Sequence, residues 1–297
     1  MDKHPSVLIV GFLLILILSG LISIACAQNG LTVAIELFGK VRQVPIFILC
    51  AVVVFVINWF AYIPAIIKKT EHFYDLVGSL TYISVIVIAI ILSASFDWRS
   101  IVVALMVVVW ASRLGMFLFV RVKKAGADDR FDEVKVDPLK FLLAWTLQAM
   151  WVLLTSACAV VVITSQNYKP IDLISVLGIV LWLAGFLLEV IADYQKKQFR
   201  LNVENKDKFI QSGLWAWSQH PNYLGEIILW SGMSLIAIPV LQGWQWLALI
   251  SPFFVYLLLT KGSGIPTLDE KSQSKWGNDP EYKKYITNTG LLFPKIK

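Results

Sequence analysis

The stretch VLIVGFLLILILSGLISIACA, residues 7–27, contains no charged side chain. A helix of about 20 apolar residues is long enough to cross the hydrocarbon core of a bilayer, so this stretch predicts a membrane-spanning helix. Seven further apolar stretches follow along the chain. The eight predicted spans are Val7–Ala27, Val44–Ile67, Leu76–Ser95, Ile101–Val120, Leu139–Thr164, Leu173–Ala192, Tyr223–Leu241 and Trp244–Thr260. The sequence therefore predicts an all-α fold, a polytopic transmembrane helix bundle.

The composition favours a membrane protein over a soluble one. Of the 297 residues, 58% are hydrophobic and 15% are charged, and the mean hydropathy is +0.71. Soluble domains carry about 25% charged residues, and disordered chains have low hydrophobicity. The net charge is +6, but no basic run with interleaved aromatic residues points to nucleic acid. We expect lipid headgroups or a phosphorylated cofactor to be the anionic partner.

Lys and Arg residues predict the orientation of the bundle. With the odd-numbered loops outside, those loops carry four basic residues, whereas the even-numbered loops and both tails carry 21, counting Lys140 at the start of the fifth span. Because basic residues concentrate on the cytoplasmic side, we predict that both termini are cytoplasmic. The protein would be multi-pass in the inner membrane if it is bacterial, or in the endoplasmic reticulum if it is eukaryotic.

The first span has two interpretations. Ala25-Cys26-Ala27 follows the apolar run in the manner of a signal-peptide cleavage site, and cleavage would leave seven spans with the same orientation. The run is longer than the usual signal-peptide core, however, and only Lys3 precedes it as a basic residue. We expect an uncleaved helix, and hence seven or eight spans in all.

Ionisable side chains inside the predicted spans or directly at their ends are functional candidates, because an unpaired charge in hydrocarbon costs several kcal/mol. Most of them lie toward the predicted cytoplasmic ends of their helices. A polar cavity open to the cytoplasm would explain this placement; the alternative is that they reach to headgroups or pair for packing. These residues are Asp75, Arg113, Glu189, Asp193 and Glu226.

Charged residues at the end of the sixth span follow helical spacing. Residues three or four apart share a helix face, so Glu189, Asp193, Lys196 or Lys197, and Arg200 can form one stripe. Carboxylates deep in the membrane and cations near water suit a nucleotide whose phosphates stay at the mouth of a cavity. A ladder of salt bridges would have the same spacing, and the sequence does not distinguish the two.

The densest polar feature is the run His220-Pro221-Asn222-Tyr223-Leu224-Gly225-Glu226. Proline suits the first turn of a helix, and His220 would stand at the entrance, where the helix dipole favours anions. Gly225 would allow another backbone or a flat ring to approach closely. Tyrosine at a membrane interface is common, but so polar a run predicts a binding site. Its hydrogen-bonding members are Asn222, Tyr223 and Glu226.

This run resembles the R-H-P-N-Y-x-G-[DE] signature of steroid 5α-reductases, sterol C14-reductases and related membrane enzymes. Three further segments resemble uncharacterised bacterial-type membrane proteins classed as 5α-reductase-like. They are residues 185–195 (G-x-x-x-E-x-x-A-D-x-Q) with Arg200 after them; Ser263-Gly264-Ile265-Pro266 with Leu268 and Glu270-Lys271, the last two one residue later than in the family's S-G-[VI]-P-x-x-E-K block; and Glu281-Tyr282 with Phe293-Pro294. The resemblance is good over residues 139–294 and loose in the amino-terminal third. It implies a reductase-like cofactor-binding region, 139–294, within a single integral membrane domain, 1–297.

The resemblance implies an NADPH-dependent reductase of a carbon–carbon double bond in a lipophilic, steroid- or isoprenoid-like substrate. A hydrogen-bond donor must stabilise the enolate that such a reaction generates, and Asp75, Tyr74 and Tyr82 are the candidates. No metal is implied, and the three cysteines lie in apolar runs without ligand spacing. The candidate NADPH-binding residues are Arg113, Glu189, Asp193, Lys197, Arg200, His220, Asn222, Tyr223, Glu226 and Lys261.

Two departures and two alternatives accompany this interpretation. Gln219 stands where the signature has Arg, and Leu76 follows Asp75 where the family has Trp-Gly. The His-Pro-x-Tyr-x-Gly pattern also resembles isoprenylcysteine carboxyl methyltransferases and phospholipid methyltransferases, which use S-adenosylmethionine. A lipid-binding membrane protein with a degenerate site is the non-enzymatic alternative. The helical architecture excludes the soluble dinucleotide-binding fold.

Overall fold

The computed structural model describes residues 5–126, 128, 131–262 and 264–295. Within them the chain forms ten α-helices and one antiparallel two-stranded hairpin, so the all-α prediction is confirmed. In chain order the elements are α1 (Pro5–Cys26), β1 (Thr32–Leu37), β2 (Lys40–Pro45), α2 (Ile46–Lys68), α3 (Tyr74–Ser93), α4 (Trp98–Ala125), α5 (Pro138–Thr164), α6 (Leu173–Leu201), α7 (Pro221–Ala237), α8 (Ile250–Lys261), α9 (Ile265–Trp276) and α10 (Pro280–Asn288).

Eight segments of the described chain are helical, long and apolar enough to cross a membrane. The predicted polytopic bundle is therefore confirmed, and the protein is an integral multi-pass membrane protein. The eight segments are Pro5–Cys26, Ile46–Lys68, Tyr74–Ser93, Trp98–Lys123, Pro138–Thr164, Leu173–Leu201, Pro221–Val240 and Gly243–Trp276, of which the last also runs over residue 263, outside the described residues.

Helix α6 continues well beyond the predicted end of its span. The apolar run ends at Ala192, but the helix reaches Leu201. The added turns consist largely of Lys, Gln and Arg, which favour helix, with an acidic residue near their start. The hydropathy of the sequence predicts where the apolar span ends, but it does not predict where the helix ends. The charged stripe from Asp193 to Arg200 is therefore helical as well.

The last predicted span differs more. Instead of one helix over Trp244–Thr260, a 3₁₀ helix covers Gly243–Leu249 and α8 begins at Ile250. Gly243 has a φ of 52°, and the backbone N–H of Gln242 donates to Gln245 Oε1 at 3.0 Å. This capping arrangement starts a tight turn that the apolar pattern does not reveal.

The chain divides into two compact units. The N-terminal unit comprises Met1–Ser175 and Ile236–Ser251, and the C-terminal unit comprises Val176–Leu235 and Pro252–Lys297. In the N-terminal unit, α1, α2, α3 and α4 all contact α5. Helix α5 is accordingly the most enclosed span, with 83% of its apolar stretch buried.

A cluster of uncharged polar side chains lies inside the N-terminal unit. Gln148 donates from Nε2 to Asn58 Oδ1 at 2.9 Å and to the Tyr74 carbonyl at 3.2 Å. Asn58 is fully buried and donates to the Val54 carbonyl at 2.9 Å. These two polar residues satisfy each other across α2 and α5, which accounts for them as packing contacts.

Glu71 ties together the loops before α3 and after α4. Its carboxylate accepts from the Asp128 backbone N–H at 2.9 Å and from Lys135 Nζ at 3.0 Å. Burial alone would raise the pKa of Glu71, but these hydrogen bonds outweigh it and hold the pKa below its usual value. The two hydrogen bonds of Glu71 fix the described residues of the loop after α4 against the start of α3.

Candidate functional site

Helix α7 begins at Pro221, as the sequence predicts. The preceding residues reach it through a short 3₁₀ helix, Gly213–Ala216. The His220 carbonyl accepts from the Leu224 N–H at 3.1 Å, and the His220 N–H donates to Ser218 Oγ at 3.2 Å. Both main-chain polar groups of His220 are therefore hydrogen-bonded, which holds this residue at the start of the helix.

Helices α6 and α7 approach each other at glycines. A Cβ added to Gly225 would lie 2.6 Å from the Glu189 nitrogen and 2.7 Å from the Gly185 carbonyl oxygen. A Cβ on Gly232 would lie 2.6 Å from both the Gly178 carbonyl oxygen and the Trp182 nitrogen. Of the two partners predicted for Gly225, backbone or flat ring, the structure has a backbone.

This contact sets the level of three buried carboxylic acids. Glu189 on α6 is 2% exposed, Asp193 one turn later is 6% exposed, and Glu226, directly after Gly225, is 7% exposed. The backbone contact between Gly225 and Glu189 places Glu189 and Glu226 at the same level of the helix pair. Asn222 and Tyr223 are half-buried in the first turn of α7.

A cavity of about 260 Å³ opens in the C-terminal unit. The end of α6, the segment from Lys208 to His220, α9 and α10 form its walls. Its lining contains more basic than acidic side chains, together with several aromatic rings. The basic residues are Lys196, Arg200, Lys208, Lys271 and Lys275, the acid is Asp269, and the aromatic residues are Phe199, Phe209, Trp215, Trp276, Tyr282 and Tyr285.

His220 forms part of the cavity wall and is 7% exposed. Its Nε2 lies 3.7 Å from Asp269 Oδ1, and its ring stacks on Tyr223 with the centroids 5.5 Å apart. Its Nδ1 is buried and has no hydrogen-bond partner among the described residues. A buried polar atom left in this state usually meets a water or a ligand.

Gln219, the residue that replaces the signature Arg, binds the end of α10. Its side-chain amide donates to the Thr289 carbonyl at 2.7 Å and to the Ile286 carbonyl at 3.2 Å. Its backbone N–H donates to the Gly290 carbonyl at 2.9 Å. Gln219 thus satisfies carbonyls at a helix end, where they have no partner within the helix, and it also lines the cavity.

The tail completes the cavity through further direct bonds. Tyr285 donates its hydroxyl hydrogen to the Trp215 carbonyl at 2.7 Å. Burial raises the pKa of Tyr285, so the phenol stays protonated and keeps this bond. Lys275 Nζ and the Trp276 indole N–H both contact Asp207, each at 2.7 Å. The side-chain bond from Lys275 lowers the pKa of Asp207.

Of the predicted cofactor-binding residues, Arg200 and His220 line this cavity. Lys197 and Lys261 are exposed. Sequence reasoning missed Lys208, Lys271 and Lys275 as site candidates. A signal for the last two was present, because they are four apart on one face of α9.

Four predicted residues lie in the N-terminal unit: Tyr74, Asp75, Tyr82 and Arg113. Tyr74 donates its hydroxyl hydrogen to the Ala144 carbonyl at 2.8 Å, and Asp75 lies 3.7 Å from the Arg121 guanidinium. Tyr82 is 5% exposed and packs edge-on against Trp110, with the ring centroids 5.1 Å apart. The Arg113 guanidinium lies 5.3 Å from the centre of the Phe117 ring.

Among the described residues, no group of three or more His, Cys, Asp and Glu side chains could hold a metal ion. Cys26, Cys50 and Cys158 are buried, as the apolar runs around them predict.

Comparison with known proteins adds three partial relatives. A Schizosaccharomyces pombe protein named as uncharacterized is 29% identical over 140 residues, 39% of this chain and 38% of its own. The "Probable O-methyltransferase ustE" of Ustilaginoidea virens is 29% identical over 93 residues, 31% of each chain. The 3-oxo-5-alpha-steroid 4-dehydrogenase 1 of Bos taurus is 33% identical over 67 residues, 23% of this chain and 26% of its own.

The chain thus aligns with between 26% and 38% of the length of these relatives. No solved structure matches the chain. The two relatives named as enzymes fit the superfamily of membrane reductases and methyltransferases that the His-Pro-Asn-Tyr run resembles. The model of the family described as "Protein of unknown function (DUF1295)" matches residues 60–289, which is well over half of the sequence. The chain therefore belongs to that family.

Proposed function

We propose that the protein is a membrane-embedded, NADPH-dependent reductase of a carbon–carbon double bond in a lipophilic substrate. The observation that carries the proposal is the basic, aromatic-lined cavity with buried His220 in its wall, at the start of the helix that bears Asn222 and Glu226. The partial similarity to a steroid dehydrogenase supports the reductase class. The substrate class rests on the same similarity and on the membrane setting.

The residues of the cavity fit the phosphate-bearing end of a dinucleotide. Arg200, Lys208 and Lys271 would bind phosphate oxygens, and aromatic rings such as Trp276 suit a flat base. The buried Nδ1 of His220 needs a polar partner, which fits a bound polar ligand. At about 260 Å³ the cavity is smaller than the roughly 300–1,000 Å³ of typical ligand sites. It would take one end of the cofactor.

The rest of the cofactor would depend on residues that do not line the cavity. Under the proposal, Asn222 and Tyr223 at the start of α7, with the buried acids Glu189, Asp193 and Glu226, orient the reactive end of NADPH. Lys197, Lys261 and Arg113 remain predicted contributors to its binding. When bound, NADPH supplies the hydride for the reduction.

The chain itself must supply a hydrogen-bond donor to the substrate oxygen. Tyr74 already donates to the Ala144 carbonyl, and that bond would have to break for Tyr74 to act. Tyr82 is buried and lies seven residues, about two helical turns, after Asp75 in α3. Among the predicted donors we therefore favour Tyr82, and loss of turnover with retained NADPH binding in Tyr82→Phe would assign it.

The residues that line the cavity belong to segments that the predicted membrane orientation assigns to the cytoplasmic side. Its lining residues come from the segment after the sixth span and from the tail after the eighth, both on the predicted cytoplasmic side. A cytoplasmic opening would give access to soluble nucleotides. The excess of basic residues on that side would then serve both orientation and anion binding.

One specific observation favours a second candidate function. The similarity to a fungal protein named as an O-methyltransferase, together with the shared His-Pro-x-Tyr-x-Gly pattern, makes an S-adenosylmethionine-dependent methyltransferase the enzymatic alternative. The support for a degenerate, non-catalytic site is weaker, because Gln219 is built into the cavity wall through its bonds to α10.

Ligand-dependent thermal stability separates these candidates. For the purified protein in detergent, we expect NADPH to raise the unfolding midpoint more than S-adenosylmethionine does; a ligand at 100 times its Kd stabilises by about 2.7 kcal/mol. Glu226→Ala and Asn222→Ala should abolish the NADPH shift without unfolding the apo protein. Transfer of deuterium from labelled NADPH into extracted lipid would then identify the substrate.

Stabilisation by S-adenosylmethionine alone would replace the reductase with the methyltransferase. Unchanged NADPH affinity in both variants would remove Asn222 and Glu226 from the site. Absence of any shift with either cofactor would leave the lipid-binding alternative.

Restoring the signature residue with Gln219→Arg should strengthen NADPH binding. An Arg side chain can still donate to the Ile286 and Thr289 carbonyls, and it adds a cation to the cavity wall. We expect affinity to rise about 3- to 10-fold at low salt, as measured by titration calorimetry. Gln211→Arg is the matched control, because Gln211 is exposed in the same segment outside the cavity lining. An equal gain in both variants would show a general charge effect instead.

A further inference from the structure

The hairpin of β1 and β2 stands on the ends of membrane-spanning helices. It joins Cys26, the last residue of α1, to Ile46, the first residue of α2. At its base, the Leu31 N–H donates to the Thr164 carbonyl at the end of α5 at 2.7 Å, and the Ile46 N–H donates to the Leu31 carbonyl at 3.0 Å. The base is therefore fixed where three spans reach the membrane surface.

The tip of the hairpin has an unusual residue. Leu37 pairs with Lys40, so Phe38 and Gly39 form a two-residue turn, with φ values of 52° and 72°. Such turns prefer Asn-Gly or Asp-Gly, because side chains with a bulky Cβ substituent disfavour the left-handed region. Phe38 is nevertheless there, and it is fully exposed. Neither the turn nor packing within the chain explains a phenylalanine at this position.

The residues next to Phe38 make the hairpin tip both apolar and basic. Val41 is 69% exposed, and Lys40 and Arg42 on the same strand are exposed as well. Aromatic side chains concentrate at membrane interfaces, and basic side chains form charge-assisted hydrogen bonds with the phosphates of lipid headgroups. The chemistry of the tip matches the surface on which the hairpin stands.

We propose that the hairpin tip binds the phospholipid headgroup layer, with Phe38 in the interface and Lys40 and Arg42 at lipid phosphates. Strands of six residues span about 20 Å, so a hairpin lying along the membrane reaches lipid beyond the helices. The contact of β1 with α3 supports that inclination, because it brings the hairpin over a neighbouring span. This surface is separate from the proposed cofactor site.

Fluorescence quenching in phospholipid nanodiscs tests the proposal. The probe is Phe38→Cys labelled with an environment-sensitive NBD fluorophore; the native cysteines are buried, and the unsubstituted chain serves as the labelling blank. Leu21→Cys, on the exposed side of α1, is the lipid reference, and Lys283→Cys, exposed on α10, is the water reference. We expect at least about twofold quenching by headgroup-nitroxide lipid and little by aqueous cobalt.

Quenching by cobalt equal to that of the Lys283→Cys label would place the tip in water and overturn the proposal. Shielding from both quenchers would place the tip against protein and would overturn it as well. Comparing discs that hold one copy with discs that hold two would show whether that protein is a second copy of the chain.

A second pair of variants keeps the turn intact. With the fluorophore at Val41→Cys, the quenching by nitroxide lipid is compared between Phe38 and Phe38→Asn backgrounds. Asn suits a left-handed turn position, so the hairpin should persist. We expect Phe38→Asn to lower the lipid quenching at least about twofold, because the aromatic anchor is gone. Unchanged quenching would show that Phe38 does not hold the tip in the interface.

Discussion

Gly225→Ala is expected to destabilise the C-terminal unit by about 2–3 kcal/mol. The added Cβ would lie 2.6 Å from the Glu189 nitrogen and 2.7 Å from the Gly185 carbonyl oxygen. Both contacts are with main-chain atoms of α6, which cannot rotate away as a side chain can. The helices must separate, and small residues are what lets membrane helices pack closely.

The same expectation holds for two other glycines of this helix pair. A Cβ on Gly185 would lie 2.5 Å from the Leu229 nitrogen, and one on Gly232 would lie 2.6 Å from the Trp182 nitrogen. Each Ala variant should lower the unfolding midpoint by roughly 5–10 °C, followed by far-ultraviolet circular dichroism in detergent.

Gly20→Ala is the matched control. It lies within spanning helix α1, and nothing lies within 4 Å of an added Cβ. Since Ala favours helix over Gly by about 1 kcal/mol, this variant should be as stable as the parent or slightly more stable. If Gly225→Ala and Gly20→Ala melt together, the two helices do not approach as closely as the structure indicates.

The glycine contact also bears on the proposed function. Gly225 sits directly before Glu226 and against the backbone of Glu189, so separating the helices moves these two buried acids apart. Under the proposal they orient the same cofactor. Gly225→Ala should therefore weaken NADPH binding even at temperatures well below the melting temperature of the variant, where it is folded. If the glycine contact served stability alone, the folded variant would bind NADPH as tightly as the parent at those temperatures.

The spans were predictable because one physical requirement defines them. About 20 apolar residues are needed to cross the hydrocarbon core, and each predicted span overlaps a spanning segment of the structure. The same criterion could not find the end of α6, since a helix can continue into water on helix propensity and charge pairing alone. Nor could it find the six-residue strands, whose alternation is short and whose pairing depends on the turn at Phe38 and Gly39.

The candidate site was predictable where its residues are close in sequence. The run from His220 to Glu226 indicates a helix start with polar groups on its first turn, and α7 does begin there. The cavity wall was not predictable in this way, because α9 and α10 supply it from far along the chain. The role of Gln219 was invisible for the same reason, since its partners are main-chain carbonyls of Ile286 and Thr289.

Arg99→Met is expected to destabilise the N-terminal unit by about 3–5 kcal/mol, because it leaves three main-chain carbonyls without their donor. Arg99 is 2% exposed at the start of α4, and its guanidinium donates to three carbonyl oxygens. The acceptors are Lys169 at 3.0 Å, Pro170 at 2.5 Å and Ile236 at 2.6 Å. One planar group thus holds the loop before α6 and the end of α7 against α4, all within the same unit.

Removing the guanidinium leaves these carbonyls without their donor, and each buried unsatisfied group costs about 1–3 kcal/mol. Arg99→Lys keeps the charge but lacks the planar fork, so it should recover only part of the loss. Asp172 adds little to the total, because it lies 3.6 Å away and its side chain is 42% exposed. The cost therefore comes mainly from the main-chain contacts.

Arg121→Met on the same helix is the matched control, because it removes an arginine that is exposed instead of one that is buried. Arg121 is 44% exposed and lies 3.7 Å from Asp75 and 4.0 Å from Asp128, so its loss should cost under about 1 kcal/mol. The buried thiols of Cys26, Cys50 and Cys158 lie in this unit and supply the measurement, since a thiol-reactive dye labels them only on unfolding. Equal midpoints for the two variants would mean that Arg99 is not the clamp of these loops. A large loss confined to Arg99 would show that three main-chain bonds, rather than an ion pair, stabilise this end of the bundle.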